Sequence, residues 1–264
     1  MTDDLGAAGL RFERDGAIGW CVIDRPEARN ALTPAMYFGI KRAVKLVNRD
    51  PDLAALIISG VGDVFAPGGD LGGRSQQGDA PVPDIGHDML PFLTIRDSRA
   101  PVVAAVNGIC QAGGLLIAMM ADIAVASDRA TFRVPELLRG IVDATYATVL
   151  PAHVGIAMAR DLLLSARRFD AQEAVRLGVI TRVVPHEQLR DAAVQAVREI
   201  VQTGPLARAH VKRMLNDRYG LIDYQTMFGS LEESPEPREG MRAFMEKRAP
   251  AWIPKEFADD NGRR

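Results

Sequence analysis

The chain has 264 residues, of which 47% are hydrophobic and 25% are charged, and its formal net charge is −2. These values are typical of a globular protein, and a near-neutral charge without long basic runs does not favour nucleic acid as a partner. Two cysteines are too few for a disulfide framework, and the absence of a signal-like apolar core or a membrane-length window predicts a cytoplasmic protein.

The first part of the chain predicts two strands, a helix and a further strand. Apolar residues alternate over 10–24 around a turn at Asp15-Gly16, as expected of a strand pair. Thr33-Pro34 suits a helix start, because proline is favoured at the first helical position. Asp50-Pro51 then ends this helix, and the apolar run 53–59 predicts a buried strand.

The middle of the chain continues the alternation of strands and helices. Residues 72–88 are rich in glycine, proline and aspartate and predict a loop, which a helix to about Arg99 follows. A strand is predicted over 102–106, a helix over 112–121 and another strand over 122–127. This strand–strand–helix rhythm favours an α/β core with mostly parallel strands.

The pattern changes past Ala144, where helical periodicity dominates apart from one predicted strand over 180–184. We therefore expect a core over 1–200 and a helical region over 201–264. That region is too small to bury its apolar face alone, so it is expected to pack on the core or on another subunit.

Two glycine-rich turns are the most informative motifs in the sequence. Residues 65–71 follow the run 53–59, and residues 107–114 follow the strand 102–106, so each turn is predicted to join a strand to a helix. Glycine lets backbone N–H groups approach a ligand, and a helix N-terminus leaves such groups unpaired. Two turns of this kind are suited to holding one developing oxyanion.

One carboxylate, Glu136, follows these turns in a strand-to-turn context. An oxyanion site with one carboxylate predicts proton transfer next to a carbonyl group. Simpler interpretations remain open: Glu136 could be a surface residue, and Asp143 and Asp70 could be helix caps. The four histidines have no metal-ligand spacing and none adjoins a nucleophilic serine or cysteine.

Together these segments resemble the crotonase family, the enoyl-CoA hydratase/isomerase superfamily, over roughly residues 10–250. The segments that carry the resemblance are 25–32, 65–71, 101–123, 173–180 and 240–248. The resemblance implies an α/β crotonase-like spiral of strand–strand–helix units with a helical C-terminal region. That region would assemble trimers, which are often paired as hexamers.

The resemblance also implies an acyl-CoA thioester as the ligand, with its carbonyl oxygen held by the N–H groups of Gly69 and Gly113. Coenzyme A would enter as part of the substrate, and neither another cofactor nor a metal is implied. The candidate substrate-binding residues are Arg25, Ala28, Ala66, Gly68, Asp70, Leu71, Leu116, Asp143, Phe244 and Lys247.

Two departures from the family pattern bear on the reaction. Leu116 occupies the position where two-glutamate hydratases of the family have their first glutamate, whereas Glu136 matches the second. Pro67 and Gly69 stand where alanine is usual, and this proline removes one N–H but leaves that of Gly69.

The sequence therefore favours a single-carboxylate enoyl-CoA isomerase, in which Glu136 moves a proton between two carbons. One alternative is a hydratase that works with Glu136, helped by Asp143. Another is an acyl-CoA binder without catalytic activity.

Overall fold

The computed structural model describes residues 4–70, 90–220, 222, 228–229 and 234–253. The chain divides into two compact units. The first unit comprises Met1–Arg133 and Arg168–Tyr219, and the second comprises Val134–Arg167 and Gly220–Arg264.

All strands of the described residues belong to the first unit. They are β1 (Leu10–Asp15), β2 (Ile18–Ile23), β3 (Ala55–Gly60), β4 (Val64–Ala66), β5 (Val102–Val106), β6 (Ile109–Gln111), β7 (Ile123–Ser127), β8 (Thr131–Arg133), β9 (Phe169–Asp170) and β10 (Arg182–Val184). They form a six-stranded sheet in the order β1-β2-β3-β5-β7-β10 and a four-stranded sheet in the order β4-β6-β8-β9. Only the β1–β2 and β8–β9 pairs among these described strands are antiparallel.

The helices of the described residues lie in both units. They are α1 (Pro34–Arg49), α2 (Phe92–Arg96), α3 (Gly113–Met120), α4 (Ala144–Val154), α5 (Ile156–Ser165), α6 (Ala171–Leu177), α7 (Leu189–Val201), α8 (Pro205–Asn216) and α9 (Glu236–Met245). The second unit holds α4, α5 and α9 together with a 3-10 turn, Glu136–Arg139. None of these described helices combines the length and the hydropathy needed to span a bilayer.

The larger sheet carries the core of the first unit. Trp20, Ile57, Val103 and Val125 point from neighbouring strands towards one apolar cluster, which the buried face of α7 completes. α1 lies against β1, β2 and β3. It begins as predicted, because the Thr33 side chain accepts a hydrogen bond from the backbone N–H of Met36 at 3.2 Å.

The smaller sheet was not predicted from the sequence, and it changes the interpretation of both glycine turns. β4 overlaps the start of the first turn at residues 65 and 66, and β6 lies inside the segment 107–114. Each strand β3, β5 and β7 is thus followed by a corner and a short strand of the second sheet. Strands of two or three residues are too short to show a hydrophobic period.

Two buried asparagines and two glycines shape the corners between the sheets. Asn107 accepts a hydrogen bond from the N–H of Gly60 at 3.1 Å and donates to the carbonyl of Val64 at 3.2 Å. Asn30 donates to the same carbonyl at 2.6 Å. A Cβ on Gly108 would lie 1.8 Å from the carbonyl oxygen of Asp63, so only glycine fits this corner without backbone movement.

Other predicted element boundaries differ from the observed ones by a few residues. The helix expected to reach Arg99 ends at Arg96, and the strand expected over 180–184 begins at Arg182. The segment 25–32 contains a 3-10 turn, Pro26–Ala28. The predicted loop over 72–88 lies outside the described residues.

The two compact units do not divide at residue 200. α8 groups with the first unit, where Lys212 Nζ donates to Asp122 Oδ2 at 2.8 Å and to the carbonyl of Ser98 at 2.7 Å. Conversely, residues 134–167 group with the C-terminal residues. The binding and assembly roles expected of the core and the C-terminal region stay predictions.

Candidate active site

The two glycine turns meet inside the first unit, where two of their glycines leave room for the close approach. A Cβ on Gly68, whose φ is +114°, would lie 2.6 Å from the Cβ of Ala112. A Cβ on Gly114 would lie 2.2 Å from the carbonyl oxygen of Ala66. Gly114 therefore permits a direct approach of the two backbones, and Gly68 makes room for the side chain of Ala112, which no larger residue would do.

In the first turn, the backbone pairing leaves the N–H of Gly69 unused. Gly69 forms a parallel bridge with Leu32, in which Leu32 N–H donates to the carbonyl of Gly68 at 2.9 Å and Asp70 N–H donates to the carbonyl of Leu32 at 2.8 Å. This register directs the N–H of Gly69 away from the Leu32 segment. Within the described chain it donates no hydrogen bond, and Gly69 is exposed.

In the second turn, Gly113 begins α3, so its N–H is one of the donors that a helix start leaves without an intrahelical partner. The preceding Ala112 has a φ of +49°, which is strained for a residue with a side chain. The Ala112 N–H donates to the carbonyl of Arg133 at 3.2 Å. One turn further along α3, Leu116 is buried and offers no group that could exchange a proton.

The remaining predicted residues around the first turn form its support. Arg25 is buried, and its Nη1 donates to the carbonyl of Ala31 at 2.9 Å and to Asp70 Oδ2 at 2.8 Å. Arg25 and Asp70 thus form an ion pair that ties the 25–32 segment to this turn. Ala28 is half-buried, and Leu71 lies outside the described residues.

Tyr37 is a residue at this site that the sequence analysis did not single out. A Cβ on Gly113 would lie 2.2 Å from Tyr37 Oη, and one on Gly69 would lie 3.8 Å from it. The ring is buried and packs edge-on against Phe92, with 6.1 Å between the ring centroids. The sequence places Tyr37 on α1, four residues after the capping threonine, but that position alone does not show that its hydroxyl lies beside the glycine turns.

Glu136 belongs to the second unit, where it is the first residue of the 3-10 turn Glu136–Arg139. Its Oε2 is buried and has no hydrogen-bond partner in the described chain. Burial and, secondly, the negative charge of Asp143 raise the pKa of Glu136 to about 8, against the opposing effects of a backbone hydrogen bond and the charge of Arg139. Glu136 is therefore not a simple surface residue, and its carboxyl is mostly neutral at pH 7.

Asp143 caps α4, since its Oδ1 accepts a hydrogen bond from the N–H of Tyr146 at 3.0 Å. Burial raises the pKa of Asp143, although hydrogen bonds from Tyr146 and Thr145 oppose this shift. The second unit therefore holds two interacting carboxyl groups, Glu136 and Asp143. The two groups affect each other's protonation, and the pKa of Glu136, at about 8, is the one that lies near neutral pH.

α9 contacts the segment that carries Glu136. A Cβ on Gly240 would lie 2.4 Å from the carbonyl oxygen of Arg139, so the two backbones touch. The Arg139 guanidinium lies over the ring of Phe244, 4.6 Å from its centroid, and burial lowers the pKa of Arg139. Phe244 is still half-exposed, and Lys247 is exposed just beyond α9. Sequence analysis missed Arg139.

Among the described residues, no group of three or more histidine, cysteine, aspartate or glutamate side chains is placed to hold a metal ion. Cys21 and Cys110 are both buried and free, and burial raises the pKa of each thiol. The groups found at the glycine turns and around Glu136 therefore include backbone donors, carboxyl groups, the Arg139 guanidinium and the Tyr37 phenol.

The chain belongs to the enoyl-CoA hydratase/isomerase family, whose family model matches residues 13–255. Its strand–strand–helix architecture with mostly parallel sheets agrees with that of solved members of the family. A crystal structure of carnitinyl-CoA hydratase from Mycobacterium avium superimposes with a TM-score of 0.80 and 30% identity, covering 92% of this chain and 98% of that one.

Curated relatives extend over nearly the whole chain. Carnitinyl-CoA dehydratase of Salmonella arizonae is 36% identical over 256 residues, which is 92% of this chain and 97% of the relative. The probable mitochondrial enoyl-CoA hydratase of Dictyostelium discoideum is 33% identical over 249 residues, covering 91% of this chain and 89% of the relative. Both names describe the addition or removal of water rather than isomerisation.

The raised pKa of Glu136 predicts a pH-dependent gain in stability for Glu136→Gln. Between about pH 4.5 and pH 8 the folded protein retains a proton that the unfolded chain has lost, so this group contributes less to stability as pH rises. Glutamine has no such penalty. We expect the difference in free energy of unfolding between the variant and the parent to be about 1–3 kcal/mol more favourable to the variant at pH 8.5 than at pH 5. Thermal unfolding at both pH values measures this difference.

Glu187→Gln is the matched control, because Glu187 is an exposed glutamate in the 3-10 turn His186–Gln188. Its melting temperature relative to the parent should not change with pH in this range. An equal response of both variants would contradict the assignment of a raised pKa to Glu136.

Proposed function

We propose that this protein catalyses the reversible addition of water to an enoyl-CoA, giving a 3-hydroxyacyl-CoA. The observation that carries the proposal is the buried carboxyl of Glu136, whose pKa is raised to about 8 partly by the second carboxyl group, Asp143. Addition of water needs one group that donates a proton and one that accepts a proton. The hydratase and dehydratase names of the relatives support this reaction over isomerisation.

The glycine turns would hold the thioester. In this proposal the N–H groups of Gly69 and Gly113, which are unpaired in the described chain, donate hydrogen bonds to the carbonyl oxygen. As the reaction proceeds, this oxygen becomes an enolate oxygen, and fixed donors stabilise the developing charge. Each donor is expected to contribute about 10²–10³-fold to the rate.

The carboxyl groups would move the protons. The oxygen of water bonds to C3 while Asp143, as a carboxylate, accepts one of the water protons. The C2=C3 electrons shift to form the enolate, and neutral Glu136 then delivers its proton to C2. Exchange of protons with solvent restores both groups, and the reverse sequence removes water from the 3-hydroxyacyl-CoA.

Leu116 bears on how this reaction differs from that of the two-glutamate hydratases. The buried, apolar side chain of Leu116 cannot hold a water molecule or accept a proton from it. The carboxylate that two-glutamate hydratases have at this position is therefore absent. In our proposal Asp143 takes over the proton-accepting role. Its capping bond to Tyr146 N–H uses Oδ1 at 3.0 Å, and a carboxylate has further acceptor capacity on its second oxygen.

Isomerisation is the second candidate, and the buried Leu116 favours it. An isomerase needs one base, so Glu136 would remove a proton from C2 of a 3-enoyl-CoA and return it to C4. The third candidate, an acyl-CoA binder without catalytic activity, would keep the glycine turns and make no use of the carboxyl groups. The following experiment separates the three.

We expect the purified protein to hydrate a short 2-enoyl-CoA in deuterated water, with deuterium entering at C2, and to leave a 3-enoyl-CoA largely unchanged. Glu136→Gln should lower turnover about 10²–10⁴-fold, because it removes the proton donor. Asp143→Asn should lower it at least about tenfold while keeping the cap of α4, since asparagine caps helices as well as aspartate does. NMR of both substrates measures all of these changes.

Glu187→Gln should hydrate at the parental rate. Migration of the double bond in the 3-enoyl-CoA without hydration of the 2-enoyl-CoA would show that the protein is an isomerase. Carnitinyl-CoA, which the Salmonella relative's name contains, belongs in the same assay as a dehydration substrate. Tight acyl-CoA binding without any turnover or deuterium uptake would show that the protein is an acyl-CoA binder without catalytic activity.

The pH dependence should be the same in both directions of the reaction, because the reaction consumes no net proton and its equilibrium constant does not change with pH. Hydration uses neutral Glu136 with the Asp143 carboxylate, and dehydration uses neutral Asp143 with the Glu136 carboxylate, so both active forms hold one proton between the two groups. We therefore expect kcat/KM to fall in both directions as pH rises through about 8. Rate profiles from pH 6 to pH 9.5 test this, and profiles that do not fall through pH 8 would exclude Glu136 as the proton carrier.

We further propose that the chain assembles as a homotrimer or a hexamer. Large apolar side chains that remain exposed in the described structure support this, among them Leu164, Leu206 and Met245. Sedimentation equilibrium should give three or six times the mass of one chain. A monomeric mass at micromolar concentration would contradict the proposal.

A further inference from the structure

Tyr37 is held in place by the same segment that shapes the first glycine turn. Leu32 bridges Gly69, Thr33 caps α1, and the Tyr37 N–H donates to the carbonyl of Thr33 at 3.1 Å. The backbone between the bridge and the tyrosine therefore has little freedom. Phe92 packs on the ring with an interplanar angle of 82°, which fixes its direction.

This placement brings the hydroxyl next to the two glycines whose N–H groups are the candidate donors. Tyr37 Oη lies 2.2 Å from the Cβ position of Gly113 and 3.8 Å from that of Gly69. Alanine at position 113 would collide with the hydroxyl, so glycine there accommodates the tyrosine as well as a ligand. A phenol can donate a hydrogen bond, as the two backbone N–H groups do.

We propose that the Tyr37 hydroxyl contacts the thioester and donates a third hydrogen bond to its carbonyl oxygen. This inference rests on the proposed function only in taking an acyl-CoA as the ligand. It does not depend on whether water addition or double-bond migration follows, because both reactions place negative charge on that oxygen. The alternative is that Tyr37 only fills space beside the glycines.

Infrared difference spectroscopy of bound butyryl-CoA labelled with carbon-13 at the carbonyl tests the contact directly. Hydrogen bonds lower the carbonyl stretching frequency, and butyryl-CoA cannot be hydrated. We expect the parent protein to lower this frequency and Tyr37→Phe, which keeps the ring, to lose a measurable part of the shift. Turnover of the 2-enoyl-CoA should fall about 10–100-fold in kcat with little change in KM.

Two further variants distinguish hydrogen bonding from packing. Fluorotyrosine at position 37 is a stronger donor of nearly the same size, so it should lower the carbonyl frequency beyond that of the parent. Tyr219→Phe removes a hydroxyl from the 3-10 turn Asp217–Tyr219 and should match the parent in both readouts. The fluorotyrosine protein keeps the test decisive even if Tyr37→Phe folds poorly.

The outcomes separate this inference from the proposed function. A carbonyl frequency that Tyr37→Phe and fluorotyrosine both leave unchanged would overturn the contact, as would a change confined to KM. If the carbonyl frequency of bound butyryl-CoA depends on position 37 but the protein does not hydrate the 2-enoyl-CoA, the contact is supported and the hydratase proposal is wrong. A parent protein that does not bind butyryl-CoA would overturn both.

Discussion

The direct contact between two backbones is the constraint on which the first unit depends. Gly68 faces Ala112 and Gly114 faces the carbonyl of Ala66 at distances that no added side chain could occupy. Because the turns touch, the strands β4 and β6 that lead into them can pair, and the second sheet follows from that pairing. The strained φ of Ala112 belongs to the same arrangement, since it turns the chain sharply into α3.

A different physical effect dominates the second unit, where a carboxyl group is kept out of water without a compensating hydrogen bond on Oε2. Desolvation disfavours the charged form of Glu136, and the charge of Asp143 acts in the same direction. Arg139 lies close enough to oppose them, yet it is itself partly desolvated beside Phe244. The balance leaves a neutral acid near physiological pH, which a fully formed ion pair would not.

The sequence predicted the parts of the fold whose signals are local and periodic. α1, with its threonine cap, and the all-buried strand β5 were both predicted from the sequence. The glycine turns were singled out as the candidate site, and that assignment stays a prediction. The second sheet could not be predicted, because its strands are too short and its pairing joins distant segments. Tyr37 and Arg139 were missed for a related reason: their importance comes from neighbours that are remote in the sequence.

In our proposal, different compact units carry the two parts of the chemistry. The unpaired N–H groups of Gly69 and Gly113 belong to the first unit, whereas the proton-carrying groups in our proposal lie within residues 136–143 of the second. With Leu116 on α3, the first unit lacks the carboxylate of the two-glutamate pattern and holds the groups that polarise the thioester in our proposal. Polarisation serves any reaction that forms an enolate, so the choice of reaction rests on the local electrostatics of one short segment. A change in the desolvation of Glu136 or in its distance from Asp143 would therefore alter the reaction while leaving thioester recognition intact.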